Sequence, residues 1–144
     1  MVTVARKMQI PAASTVVVLG LPADVDLEIP GDCLVVSDPS DAAGATAVVS
    51  FVVRAEDLDD LAGPAIAAAR EDRLAWIAYP KARQLGTDLN RDVLAGLVEA
   101  RGAQPVRSVS INGRWSALRF RPRRVAAQLP ITSVLSDGTD VMGS

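Results

Sequence analysis

The stretch AVVSFVVRAEDLDDLAGPAIAAAREDRLAWIAY, residues 47–79, reads as strand, helix, strand. AVVSFVV (47–53) is an unbroken, β-branched apolar run, the pattern of a strand buried on both faces. LAWIAY (74–79) repeats that pattern, and Pro80 ends it. Between them Leu58, Leu61, Ala62, Ala65, Ile66 and Ala69 recur at steps of three and four, so one helical face is apolar. Gly63-Pro64 predicts a kink there, or two short helices with Pro64 in the first turn of the second. Glu56, Asp57, Asp59 and Asp60 stand where the helix dipole favours negative charge.

Upstream, TVVVLGL (15–21) and CLVVSD (33–38) read as two more buried strands. The connector 23–32 is short for a helical crossover, so the order of these two strands stays open. Downstream, TDLNRDVLAGLVEARG (87–102) reads as a helix with Thr87 as N-cap and Gly102 just past its end. PVRSVSI (105–111) and RWSALRFRP (114–122) flank Asn112-Gly113, a strong hairpin signal. The fold class is therefore α/β: a mostly parallel sheet flanked by helices, ending in an antiparallel β-hairpin. In outline it is like the second half of a Rossmann-type methyltransferase, an analogy of fold that carries no function. Residues 1–124 form one domain, and 125–144 read as a turn-rich C-terminal tail that frays.

Composition narrows the chemistry. Apolar residues make up 49% of the 144, with only five aromatic side chains, so the core rests on many small contacts. Histidine is absent, which removes the commonest general base and the commonest zinc ligand. The single cysteine, Cys33, allows no internal disulfide and reads as a small core hydrophobe. Ser14, Ser37, Ser50 and Ser116 have no histidine to activate them, so no catalytic residue is assigned. MVTVARKMQI lacks the apolar segment of a secretion signal, and no run approaches the roughly 20 residues of a membrane span. The expectation is a cytoplasmic protein without a membrane partner, metal or cofactor.

Charge is uneven. Residues 1–60 carry ten acids against three bases, and residues 61–129 carry twelve bases against five acids. Such asymmetry can mark an anion-binding face, but mutual neutralisation on one surface is the simpler reading.

Several segments together resemble a bacterial family of small α/β proteins known as domain of unknown function 3052. They are Lys7, TVVVLGLP, W-I-A-Y-P-K (Trp76 to Lys81), T-D-L (Thr87 to Leu89) and W-S-A-L-R (Trp115 to Arg119). The likeness spans about residues 5–122 and departs from the family pattern at Ala12, Ala13, Ala82 and Arg83. It implies the α/β fold, supplies no reaction, and points to the 80–90 loop and the hairpin.

The residues point to the same loop independently. In open α/β sheets, ligands sit beyond the carboxyl ends of the strands. Lys81 and Arg83 leave the fourth strand there, and the helix that follows offers free N–H groups to an anion, unless Asp88 already occupies them. Lys81, Arg83, Thr87 and Asp88 are thus ligand-binding candidates, with Trp115, Ser116 and Arg119 on the hairpin. Trp115, Arg119, Arg121 and Arg123 share one face by period two and could stack and hold a nucleic acid. A net charge of −2 and the single aromatic argue against that partner; a charged edge strand resisting aggregation is the simpler account. Asp24, Asp26 and Glu28 alternate and could line a cation site, though a solvated edge is simpler. Gly20 alone cannot form the glycine-rich turn of a dinucleotide or S-adenosylmethionine site.

The leading expectation is a non-catalytic binding or regulatory domain for a small anionic ligand or a protein partner. A methyltransferase-like enzyme without a glycine loop is the second reading. A homodimer joined through the hairpin edge is the third.

Overall fold

The computed structural model describes residues 2–81 and 84–123. Arg83 and the C-terminal tail read from the sequence lie outside the described residues. The elements are α1 (Val4–Lys7), β1 (Thr15–Leu19), β2 (Leu34–Val36), β3 (Ala47–Phe51), α2 (Leu58–Arg70), β4 (Leu74–Pro80), α3 (Arg91–Glu99), β5 (Ala103–Ser110) and β6 (Trp115–Pro122). The six strands form one sheet in the order β2-β1-β3-β4-β6-β5. β2, β1, β3 and β4 run parallel, and β6 is antiparallel to both β4 and β5. The α/β class with a terminal hairpin is therefore the architecture of the chain.

Alternation divides the core in two. Val17, Val48, Ile77, Leu118 and Phe120 face α2 and α3, meeting Leu58, Ala62, Ile66, Leu94 and Val98. Val16, Val49, Phe51, Trp76 and Trp115 face the other way, where α1 and the segment around Val25 and Leu27 cover them. The second face thus carries one short helix and a loop, less helical cover than a sheet flanked by helices implies. Trp76 is fully buried, and its indole N–H donates to the Met8 carbonyl at 2.9 Å, tying α1 to the sheet.

Four local expectations change, and the order left open for β1 and β2 is settled. The region 58–70 is one helix with Pro64 inside it, not two. Pro64 lacks the N–H that would donate to the Asp60 carbonyl, and Asp60 is an exposed residue. β2 is not a buried strand but a three-residue edge, with Leu34 61% and Val35 49% exposed. β1 and β2 pair in parallel across a connection that contains no helix. β6 is interior, because the hairpin turns back to set β5, not β6, at the edge. Cys33 is half-buried, with its thiol 3.4 Å from the Pro11 carbonyl.

Candidate functional site

A cleft of about 540 Å³ opens at the carboxyl end of β4, between Tyr79–Lys81, the 87–91 segment and Ser116. Its volume lies in the range that encloses small ligands. Each wall follows from the chain's local chemistry. Pro80 ends β4, and Lys81 turns away with its backbone N–H donating to the Arg114 carbonyl at 2.8 Å. Tyr79 and Ser116 are register partners on β4 and β6, so their hydroxyl groups share one side of the sheet. Burial pushes the Tyr79 phenol above its ordinary value of 10.0, opposed by the Ser116 hydroxyl and the nearby Arg91 charge. At neutral pH the phenol is therefore a neutral hydrogen-bond donor.

The third wall corrects the sequence reading of Thr87. The helix begins at Arg91, and its N-cap is Asn90, whose side chain accepts from the Val93 N–H at 2.8 Å. Thr87 is buried; its hydroxyl donates to the Val53 carbonyl and accepts from the Leu89 N–H. Asp88 does not occupy the start of α3. It accepts from the Ala55 N–H at 2.8 Å, ahead of α2, and lies 3.8 Å from Arg54. Arg54 also donates to the Gly86 carbonyl at 2.8 Å. Residues 86–88 are thus laced to 53–55, at the carboxyl end of β3. Asn90 and Arg91, at the start of α3, line the cleft, and the opposite charges of Arg91 and Asp92 both act on the Tyr79 phenol.

Of the residues singled out from sequence, Lys81, Thr87, Asp88 and Ser116 line this cleft. Trp115 and Arg119 do not. Trp115 is 2% exposed and packs edge-on to Phe51, ring centroids 5.2 Å apart, so it offers no stacking surface to a base. Arg119 donates to the Gln9 side chain at 2.8 Å, and Arg121 pairs with Asp72 at 2.9 Å. The hairpin bases are therefore not a free stripe. Sequence reasoning missed Tyr79, Asn90 and Arg91. Tyr79 was absorbed into an apolar run, although a tyrosine at a strand's carboxyl end keeps a polar tip for the surface.

The three upstream carboxylates diverge. Asp24 lies 3.7 Å from Arg114, Asp26 accepts from the Glu28 N–H, and Glu28 accepts from the Val4 N–H. Among the described residues, no group of three or more acids or cysteines stands together as a metal site. Among them too, no helix is long and apolar enough to cross a membrane. After β1 the chain passes Gly20 (φ 71) into a non-helical segment, so no helix N-terminus faces the spot where a pyrophosphate would rest.

No family model and no curated protein matches the chain. Among solved structures, it is similar to the fibrillarin pre-rRNA processing protein of Methanococcus jannaschii. That match has 14% identity and a TM-score of 0.45, over 76% of this chain and 67% of that one. It is also similar to a release factor-specific protein-(glutamine-N5) methyltransferase from Alicyclobacillus acidocaldarius. Here identity is 15% and the TM-score 0.39, over 83% of this chain and 87% of that one.

Proposed function

We propose that this domain binds a small anionic ligand in the cleft beyond β4, as a recognition or regulatory module without covalent chemistry. The observation that carries the reading is one convergence: Lys81, Arg91, Asn90 at the start of α3, and the hydroxyl-bearing Tyr79 and Ser116 line the same cleft. All are hydrogen-bond donors at neutral pH, and two carry full positive charge. Asp88, which also lines the cleft, has its carboxylate engaged by the Ala55 N–H and by Arg54.

The other readings have less support. A methyltransferase-like enzyme would hold its nucleoside cofactor after β1, where this chain has one glycine and no helix. A homodimer through the hairpin would pair β5 edges, but Pro105 and the irregularity between Pro105 and Arg107 interrupt that edge.

A thermal-shift panel of phosphorylated metabolites, nucleotides, S-adenosylmethionine and carboxylates tests the reading. A ligand at about 100 times its Kd stabilises by about 2.7 kcal/mol, raising Tm by about 5–10 °C at this size. Lys81→Ala combined with Arg91→Ala is expected to fold normally and to abolish the shift. A shift that survives the double substitution places the ligand elsewhere, and no shift from any anion sinks the proposal.

A further inference from the structure

Three groups distant in sequence meet at the carboxyl end of β5. The Lys7 ammonium donates to the Ser110 carbonyl at 2.9 Å, and the Lys81 ammonium donates to the Ser110 hydroxyl at 2.6 Å. Lys7 arrives from α1, which Trp76 and Glu28 fix to the sheet through Met8 and Val4. Lys81 arrives from the end of β4. Both lysines are half-buried, and among the described residues neither has a carboxylate within 4.0 Å. The neighbouring Asp24 is turned toward Arg114. Two ammonium groups held on one residue repel each other, and no fixed anion offsets that repulsion. Ser110 is the register partner of Ser116, and Lys81, which also lines the cleft with Ser116, joins the lysine pair to it, although Lys7 and Ser110 do not line the cleft themselves.

We infer that Lys7, Lys81 and Ser110 form a phosphate subsite beside the cleft, sharing Lys81 with it, whose ligand is a small phosphate monoester and not a carboxylate. The inference rests on the anion-binding reading of that cleft. Above its second pKa of about 6 a phosphate monoester carries close to two negative charges on three terminal oxygens. Two ammonium groups match that charge. Donors from α1, β4 and β5 approach from separate directions, which suits a tetrahedral group better than a planar carboxylate. Lysine serves phosphate as a compact point charge with three donors. The Ser110 hydroxyl is free to turn its proton to the ligand, because its present acceptor, the Asn112 carbonyl, is 3.4 Å away.

The test is titration calorimetry of the full chain at low salt, with glycerol 3-phosphate and lactate as probes. Lys7→Met keeps the stem and removes the charge. Arg6→Met makes the same change in net charge one residue away, on an exposed side chain. Glycerol 3-phosphate is expected to bind the wild type at least about tenfold more tightly than lactate, the difference expected of charge-assisted hydrogen bonds. Lys7→Met should lose about tenfold for the phosphate probe alone, and Arg6→Met should lose little. Ser110→Ala, which retains both lysines, should lose several-fold. Tm values without probe establish that each variant folds. Unchanged affinity in Lys7→Met and Ser110→Ala, or lactate binding as tightly as the phosphate, overturns the subsite and leaves the anion reading standing. Failure of the wild type to bind glycerol 3-phosphate overturns the subsite, and the anion panel then decides the wider reading.

Discussion

Ala13 has φ 56, in the left-handed region that an L side chain enters at a cost. It sits exposed in the turn before β1, where no packing compensates. Replacing it with glycine removes a strain of about 1 kcal/mol, partly offset by the greater freedom of glycine in the unfolded chain. Ala13→Gly is thus expected to stabilise by about 0.5 kcal/mol, read from urea unfolding with an unchanged slope. A loss of stability would show that the turn holds its shape for another reason. Gly20 is the converse case: its φ is 71, and a Cβ there would stand 2.9 Å from the Phe51 carbonyl oxygen. The sequence announces Gly20 as a turn, because glycine before Pro22 is a local signal. It cannot announce Ala13, because alanine carries no mark of the backbone it is forced to adopt.

The helix that borders the cleft shows where element boundaries escape the sequence. T-D-L-N, residues 87–90, contains three side chains able to cap a helix, and spacing alone does not choose among them. Long-range contacts choose: Thr87 is taken by Val53 and Asp88 by Ala55, so Asn90 remains for Val93. Asn90→Ala is expected to cost about 1 kcal/mol, typical of a lost N-cap, and to lower Tm without changing the fold. Thr87→Ala should destabilise as well, through its buried contacts, but a helix-specific loss of circular dichroism belongs to Asn90 alone. Equal helix loss in both would mean the cap is shared. The strands were more legible. The hairpin at Asn112-Gly113 is present, but β6, which reads as a charged edge strand, is interior: Ala117 and Trp115 on one face and Leu118 and Phe120 on the other are all buried. Its position between β4 and β5 was not legible, because nothing local says which strand of a hairpin returns to the sheet.

At the scale of the molecule, the acidic first sixty residues and the basic remainder meet as pairs across the fold. Asp59 binds Arg101 at 2.7 Å and Asp24 faces Arg114, whereas Arg54–Asp88 runs the other way and Asp72–Arg121 lies within the basic part. Neutralisation of one half by the other thus holds for Asp59 and Asp24, and Lys7, Lys81 and Arg91 are among the bases that no carboxylate pairs among the described residues. The same pairing sets the response to acid. Hydrogen bonds from Arg101 and Arg121 hold the Asp59 and Asp72 carboxyl groups below their ordinary value of 3.8. A depressed carboxyl binds fewer protons folded than unfolded, so its contribution is complete above 3.8 and is lost as pH falls through the lowered value. Asp72→Asn should therefore lower Tm by a constant amount from about pH 7 to about pH 5, and the gap should close toward about pH 2. High salt should narrow it at neutral pH, because both partners are half-exposed and screened. A gap that persists undiminished in acid would show that the Asp72 side chain supports the turn between α2 and β4 by shape. It would not then be acting through the charge it shares with Arg121.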